Sequence, residues 1–152
     1  NKALKFAVLR CPYDRLVSYY LYCVKLATNP SKAVIGTNHT RQSASWISKC
    51  NNFSEFVDLI FKDEKLYDYI TRSTQHAFYG NCVSEMRILN MNTLDLDFKL
   101  LCREAGWKYE PLYKHNTSLN RQDVWSYYDE ATKDKVYNLL RQDIILYNKY
   151  NS

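Results

Sequence analysis

The chain has 152 residues, 46% of them hydrophobic and 24% charged, which fits one globular domain and excludes a disordered or low-complexity segment as its bulk. Its net charge of +5 favours an anionic partner, but no basic stripe with interleaved aromatics points to nucleic acid. No apolar run approaches the roughly 18 residues that span a bilayer, and no signal peptide opens the chain.

Residues 1–152 read as a single domain, shortened at its N-terminus because Asn1 to Lys5 run almost straight into a strand. Phe6-Ala7-Val8-Leu9 is a short apolar run, the pattern of a buried strand. Cys11 to Asp14 is a turn, with Pro12 suited to the first turn of a helix. Leu16, Val17, Tyr20, Leu21 and Val24 then recur at helical spacing to about Leu26. From Thr28 to Asn52 the chain is polar and contains Pro30 and Gly36, so a long loop is expected, with one helical turn near Trp46.

Ser54 is the expected N-cap of a helix carrying Phe56, Val57, Ile60 and Phe61. A further helix is expected from Glu64 to about Ser73, and a second strand from Met86 to Met91. Thr93 or Asp95 begins a helix that Gly106 closes. Pro111 to Arg121 reads as a loop and Trp125 to Tyr128 as a short helix. One last helix, capped by Asp129 or Thr132, carries Val136, Leu140, Ile144 and Tyr147. Few strands among many helices predict an α/β fold with a small parallel sheet.

The five cysteines, Cys11, Cys23, Cys50, Cys82 and Cys102, are odd in number and include no CxxC pair. Free thiols are expected, with no disulfide framework and no metal. Sequons at Asn38, Asn52 and Asn116 have meaning only in a secretory lumen.

The segment Arg10-Cys11-Pro12-Tyr13-Asp14-Arg15-Leu16-Val17-Ser18 carries the chemistry. Arg10 ends a strand, where ligands of α/β sheets gather. Arg15 and Ser18 lie three apart on the following helix, on one side of it. A guanidinium binds phosphate bidentately, a hydroxyl donates to another oxygen, and a helix N-terminus adds N–H groups and a favourable dipole. The competing reading is a surface Asp14–Arg15 ion pair beside a neutral serine.

Lys5 through Tyr20 resembles the 3'-phosphate-binding element of sulfotransferases, most of all the membrane-associated carbohydrate type and its bacterial relatives. There a strand ends in Arg and is followed by Asn or Asp, Pro, an aromatic residue and Arg-Leu-Val-Ser. The resemblance implies a P-loop-like sulfotransferase fold using 3'-phosphoadenosine 5'-phosphosulfate (PAPS), with Arg10 and Ser18 on its 3'-phosphate. Arg15 and Lys114 join them as nucleotide-binding candidates. Cys11 stands where the family has Asn or Asp, which weakens the capping of the turn. Arg87 to Phe98, the Pro111–Ser118 loop and the Tyr-rich end resemble later family segments in order. Asn92 stands where a Glu is often found, and Gln75 matches a Gln on the acceptor side.

Transfer of a sulfuryl group also needs a base and a phosphate cradle. Gly36, Gly80 and Gly106 form no phosphate-loop pattern, and by the resemblance that loop, with its Lys, and the catalytic base both lie before Asn1. His76 and His115 are the candidate catalytic groups, placed in family-like loops; His39 is the other histidine. Lys32, Arg41, Lys49 and Arg72 are candidates for an acceptor groove, and Arg121 flanks the last loop.

The expected activity is transfer from PAPS to a carbohydrate hydroxyl, an acidic glycan among the acceptors. The alternative is a non-catalytic module binding nucleotide or acidic glycan on the same fold. The bacterial cytoplasm is the expected compartment, the Golgi lumen the alternative.

Overall fold

The computed structural model describes residues 3–28, 38–113 and 122–151. Strands β1 (Phe6–Leu9) and β2 (Arg87–Asn90) form a two-stranded parallel sheet, with Phe6 opposite Arg87 and Leu9 opposite Asn90. Parallel neighbours require a crossover. Here it is helical: α1 (Pro12–Ala27), α2 (Asn38–Ile47), α3 (Phe53–Lys62), α4 (Glu64–Arg72) and the short α5 (Gln75–Tyr79). After β2 come α6 (Leu94–Ala105), α7 (Glu130–Leu139) and α8 (Arg141–Asn151). The expected α/β architecture with a small parallel sheet and a mostly helical remainder is present.

The core lies where α1, α3, α4 and α7 meet. Val17, Phe56, Val57, Ile60, Leu66 and Val136 are fully enclosed there. Each such side chain contributes roughly 1.5–3 kcal/mol by leaving water. Tyrosines ring this core: Tyr20 stacks edge-on against Phe53 at 5.4 Å between centroids, and Tyr128 does so at 4.9 Å.

Local chemistry sets the helix ends. Asn52, not Ser54, caps α3: its side chain accepts from the Glu55 N–H at 2.9 Å. Ser54 instead meets the Thr132 hydroxyl at 3.0 Å, tying α3 to α7. Asp63 caps α4, and Asp129 caps α7. Thr93 precedes α6 without capping it through its side chain, and Gly106 ends that helix at φ 69°, a left-handed conformation natural to glycine.

Two expectations need correction. The stretch from Thr28 to Asn52 holds a full helix, α2, whose Trp46 and Ile47 are buried. Trp46 donates its indole N–H to Asp63 at 3.2 Å. The terminal helix is two, broken at Leu140, whose backbone leaves the helical region at φ -112°, and Asp143 in the first turn of α8 binds the start of α5. No helix among the described residues is long and apolar enough to cross a membrane.

Candidate functional site

Arg10 leaves the C-terminal end of β1 and enters the turn to α1. Its Nε binds the Asp14 carboxylate one helical turn on, and both side chains are largely buried. This pair spends one edge of the guanidinium. The terminal nitrogens of Arg10 have no partner among the described residues. Burial works against the charge on Arg10. A guanidinium nevertheless stays protonated, so Arg10 remains a preoriented cation.

Ser18 is one further turn along α1 from Asp14, so Asp14 and Ser18 follow one face of the helix, and Arg10, in the turn before it, reaches that face through its bond to Asp14. The half-buried Ser18 hydroxyl also has no partner among the described residues. Cys11 occupies the N-cap of α1 and makes no side-chain capping bond, as expected from its replacing Asn or Asp. Burial pushes the Cys11 thiol up.

Arg15 does not join this face. Its guanidinium binds the Ser73 carbonyl and lies 3.5 Å from the fully buried Asp143 carboxylate. Burial weighs against its charge, and Asp143 favours it. Asp143 also accepts the N–H groups of Gln75 and His76, at 3.0 and 2.6 Å.

Gln75, expected on the acceptor side, is buried instead and bound to Arg10. The Arg10 N–H donates to Gln75 Oε1 and Gln75 Nε2 donates to the Arg10 carbonyl, both at 2.8 Å. The side chain of His76 is exposed and faces a separate cavity of about 420 Å³ beside Thr74 and Arg141. His115, Lys114, Arg121 and Lys32 lie outside the described residues, as do the His39 and Arg41 side chains.

Arg15 instead lines a cavity of about 250 Å³ between α1 and α4, with Tyr19, Tyr69, Ser73, Phe78 and Leu140. Tyr69, Ser73 and Phe78 also wall a neighbouring hollow of about 530 Å³, which Trp46, Lys65 and Arg72 complete. The two make one groove, aromatic along its middle, with Lys65 and the Arg72–Asp68 ion pair at its rim. Phe78 stands 71% exposed in it, a flat apolar face offered to a ligand. Of the basic residues expected here, Arg72 is present but pairs with Asp68 at 2.8 Å, and Lys49 pairs with Asp63 at 3.8 Å.

All five cysteines are free. Burial pushes the Cys23 thiol up to about 11, while Cys82 is exposed. No group of three or more potential metal ligands gathers among the described residues.

The sulfotransferase family model matches residues 1–151. The chain belongs to the sulfotransferase family. No curated protein and no solved structure gives a significant match to it. Family membership makes this a transferase of sulfuryl groups, working between a sulfate donor and an acceptor. In this sulfotransferase the Arg10 guanidinium is not among the residues that line the aromatic groove. Asp143, Tyr79 and the Tyr69–Phe78 wall went unmarked in the sequence, since each gains its setting from segments remote in the chain.

Proposed function

We propose that the chain serves PAPS-dependent sulfation of a carbohydrate hydroxyl. The carrying observation is the Arg10 guanidinium, fixed by Asp14 through Nε, with its other nitrogens meeting no partner among the described residues. A phosphate group needs that fork, and the Ser18 hydroxyl on the same face supplies a further donor. Arg10 and Ser18 hold the 3'-phosphate of the nucleotide, which when bound supplies the activated sulfuryl group. Asp14 orients Arg10 and keeps the pair neutral, so selectivity for the phosphate comes from directed hydrogen bonds more than from net charge.

The groove supports a sugar acceptor. The face of a pyranose ring is apolar and packs on aromatic rings, while its hydroxyls seek polar partners. Phe78 and Tyr69 supply the first and Ser73 the second; Lys65 suits the carboxylate or sulfate of an acidic glycan, while Arg72 is already paired with Asp68. Transfer forms a bond from the acceptor oxygen to sulfur and breaks the bond from sulfur to the nucleotide's bridging oxygen, while a base takes the hydroxyl proton. Lys114 and His115, outside the described residues, are proposed to serve the nucleotide and the acceptor. His76, in its separate cavity, is a poorer choice as base. Five free thiols accord with a reducing compartment, for which we propose the bacterial cytoplasm.

Titration of the protein with adenosine 3',5'-bisphosphate and with adenosine 5'-phosphate tests the nucleotide assignment. A hydrogen bond to a charged group contributes about 1.5–3 kcal/mol, so Arg10→Ala should weaken the bisphosphate about 10–100-fold. Ser18→Ala should cost less, and the monophosphate should respond to neither. Equal losses for both nucleotides would remove the 3'-phosphate assignment. Sulfate transfer from PAPS to a panel of neutral and acidic oligosaccharides tests the acceptor; bisphosphate binding without transfer to any of them favours the non-catalytic module.

A further inference from the structure

Gln75 is an unusual partner for Arg10. The side chain is 6% exposed and both its polar atoms are spent on the main chain of one residue. The Lys5 carbonyl accepts from Arg87 N–H, so the odd-numbered residues of β1 face β2. By the two-residue repeat of a strand, Val8 and Arg10 present their main-chain groups on the other edge. Two side chains of α5 meet that edge: Tyr79 donates its hydroxyl to the Val8 carbonyl at 2.9 Å, and the Gln75 amide pairs with Arg10. Four residues of helix rise about 6 Å and two residues of strand about 6.6 Å, so the repeats match.

The amide of Gln75 thus continues the sheet's hydrogen bonding past the last residue of β1, at the point where the main chain turns away. Without it, the Arg10 peptide groups would be free to rotate as the turn to α1 begins. The amide is held in turn, because Asp143 accepts the Gln75 and His76 N–H groups and anchors the start of α5.

We infer that Gln75 is a positioning residue for nucleotide recognition: it clamps the Arg10 main chain so that the guanidinium is presented to the 3'-phosphate. This rests on the assignment of Arg10 to that phosphate. Gln75 touches no nucleotide atom itself. Its effect is on the orientation of Arg10, so it governs the preference for a 3'-phosphorylated nucleotide rather than nucleotide binding as a whole.

The test is a cycle of Gln75→Met, Arg10→Ala and the double variant, each titrated with adenosine 3',5'-bisphosphate and adenosine 5'-phosphate. Methionine keeps the volume of glutamine and removes both hydrogen bonds. The expected result is a fall of about tenfold in the bisphosphate-to-monophosphate affinity ratio for Gln75→Met, and no further fall when it is added to Arg10→Ala. Gln75→Glu keeps the acceptor for the Arg10 N–H but not the donor to its carbonyl. Its buried carboxylate faces the Arg10 carbonyl, so it should lower the ratio at least as far as Gln75→Met, and Gln75→Leu, which also removes both hydrogen bonds, replaces Gln75→Met if that variant does not fold. Thermal unfolding of each variant reports stability separately. An unchanged ratio in the folded Gln75 variant, alongside a collapsed ratio in Arg10→Ala, overturns the inference and leaves the 3'-phosphate assignment standing. An unchanged ratio in Arg10→Ala overturns that assignment and the inference with it.

Discussion

Around Phe56 the chain is held by burial, and around Asp143 it is held by directed bonds. In the first region rings and aliphatic chains from α1, α3, α4 and α7 share a dry interior. In the second, Asp143 binds two N–H groups and a guanidinium, Gln75 binds both main-chain groups of Arg10, and Tyr79 reaches Val8. Burial has no preferred direction, so the first region tolerates side chains of similar volume. Hydrogen bonds have narrow geometry, and a buried group that loses its partner bears the full cost of desolvation. The groups assigned to the nucleotide are placed by the second kind of force.

Three substitutions sharpen or break that contrast. Phe56→Ala should have the largest effect on stability, about 3–5 kcal/mol in urea unfolding, because a fully buried ring leaves a cavity. The folded fraction should keep its preference for the 3'-phosphorylated nucleotide; loss of that preference would show that the two regions are not separable.

Asp143→Ala should approach that cost, at about 1–3 kcal/mol for each group it leaves without its acceptor: the Gln75 N–H, the His76 N–H and the Arg15 guanidinium. Unlike Phe56→Ala, it should also lower the bisphosphate-to-monophosphate ratio, since Gln75 loses its anchor. Retention of the wild-type ratio would mean that Gln75 is held by other contacts.

Asp129→Asn should be the mildest. The Thr132 hydroxyl and N–H hold the Asp129 carboxyl below its ordinary value. A depressed carboxyl contributes stability above its unfolded value of about 4, and the contribution disappears as pH falls through the lower folded value. Asparagine caps a helix about as well as aspartate but does not titrate there. The variant should match the wild type near neutrality and lose less stability on acidification; superimposable acid limbs would exclude Asp129 as a contributor.

How legible each part was from sequence depended on how local its determinants are. The strand Phe6–Leu9 and helix α1 follow from an apolar run, a proline and a helical repeat, all within neighbouring residues. Helix α2 was obscured because Asn38 to Ser43 is polar, leaving Trp46 and Ile47 too few to show a period. The break at Leu140 carries no glycine or proline, and the groups that Asp143 binds beyond it lie in α5, far back in the chain. The candidate site divides in the same way. Arg10 and Ser18 were paired by the family resemblance, and Arg10 reaches the Ser18 side of α1 through its bond to Asp14. Arg15 looked equivalent until Asp143, 128 positions away, and the Ser73 carbonyl engaged it. Gln75 carried a family-like match, but its buried position against Arg10 depends on a tertiary meeting that no spacing encodes.

The side chains of Gln75 and Tyr79 have a consequence for solubility. A sheet edge with unpaired N–H and C=O groups is a template on which another molecule's strand can assemble. In this protein the Val8 carbonyl and both main-chain groups of Arg10 are occupied from within the same molecule, by side chains on a helix that lies along the edge. An incoming strand would have to displace a tyrosine hydroxyl and a buried amide before forming its first bonds at those positions. The contacts that fix the end of β1 therefore also guard that stretch of edge against intermolecular pairing, and replacing Gln75 and Tyr79 together would open it to aggregation.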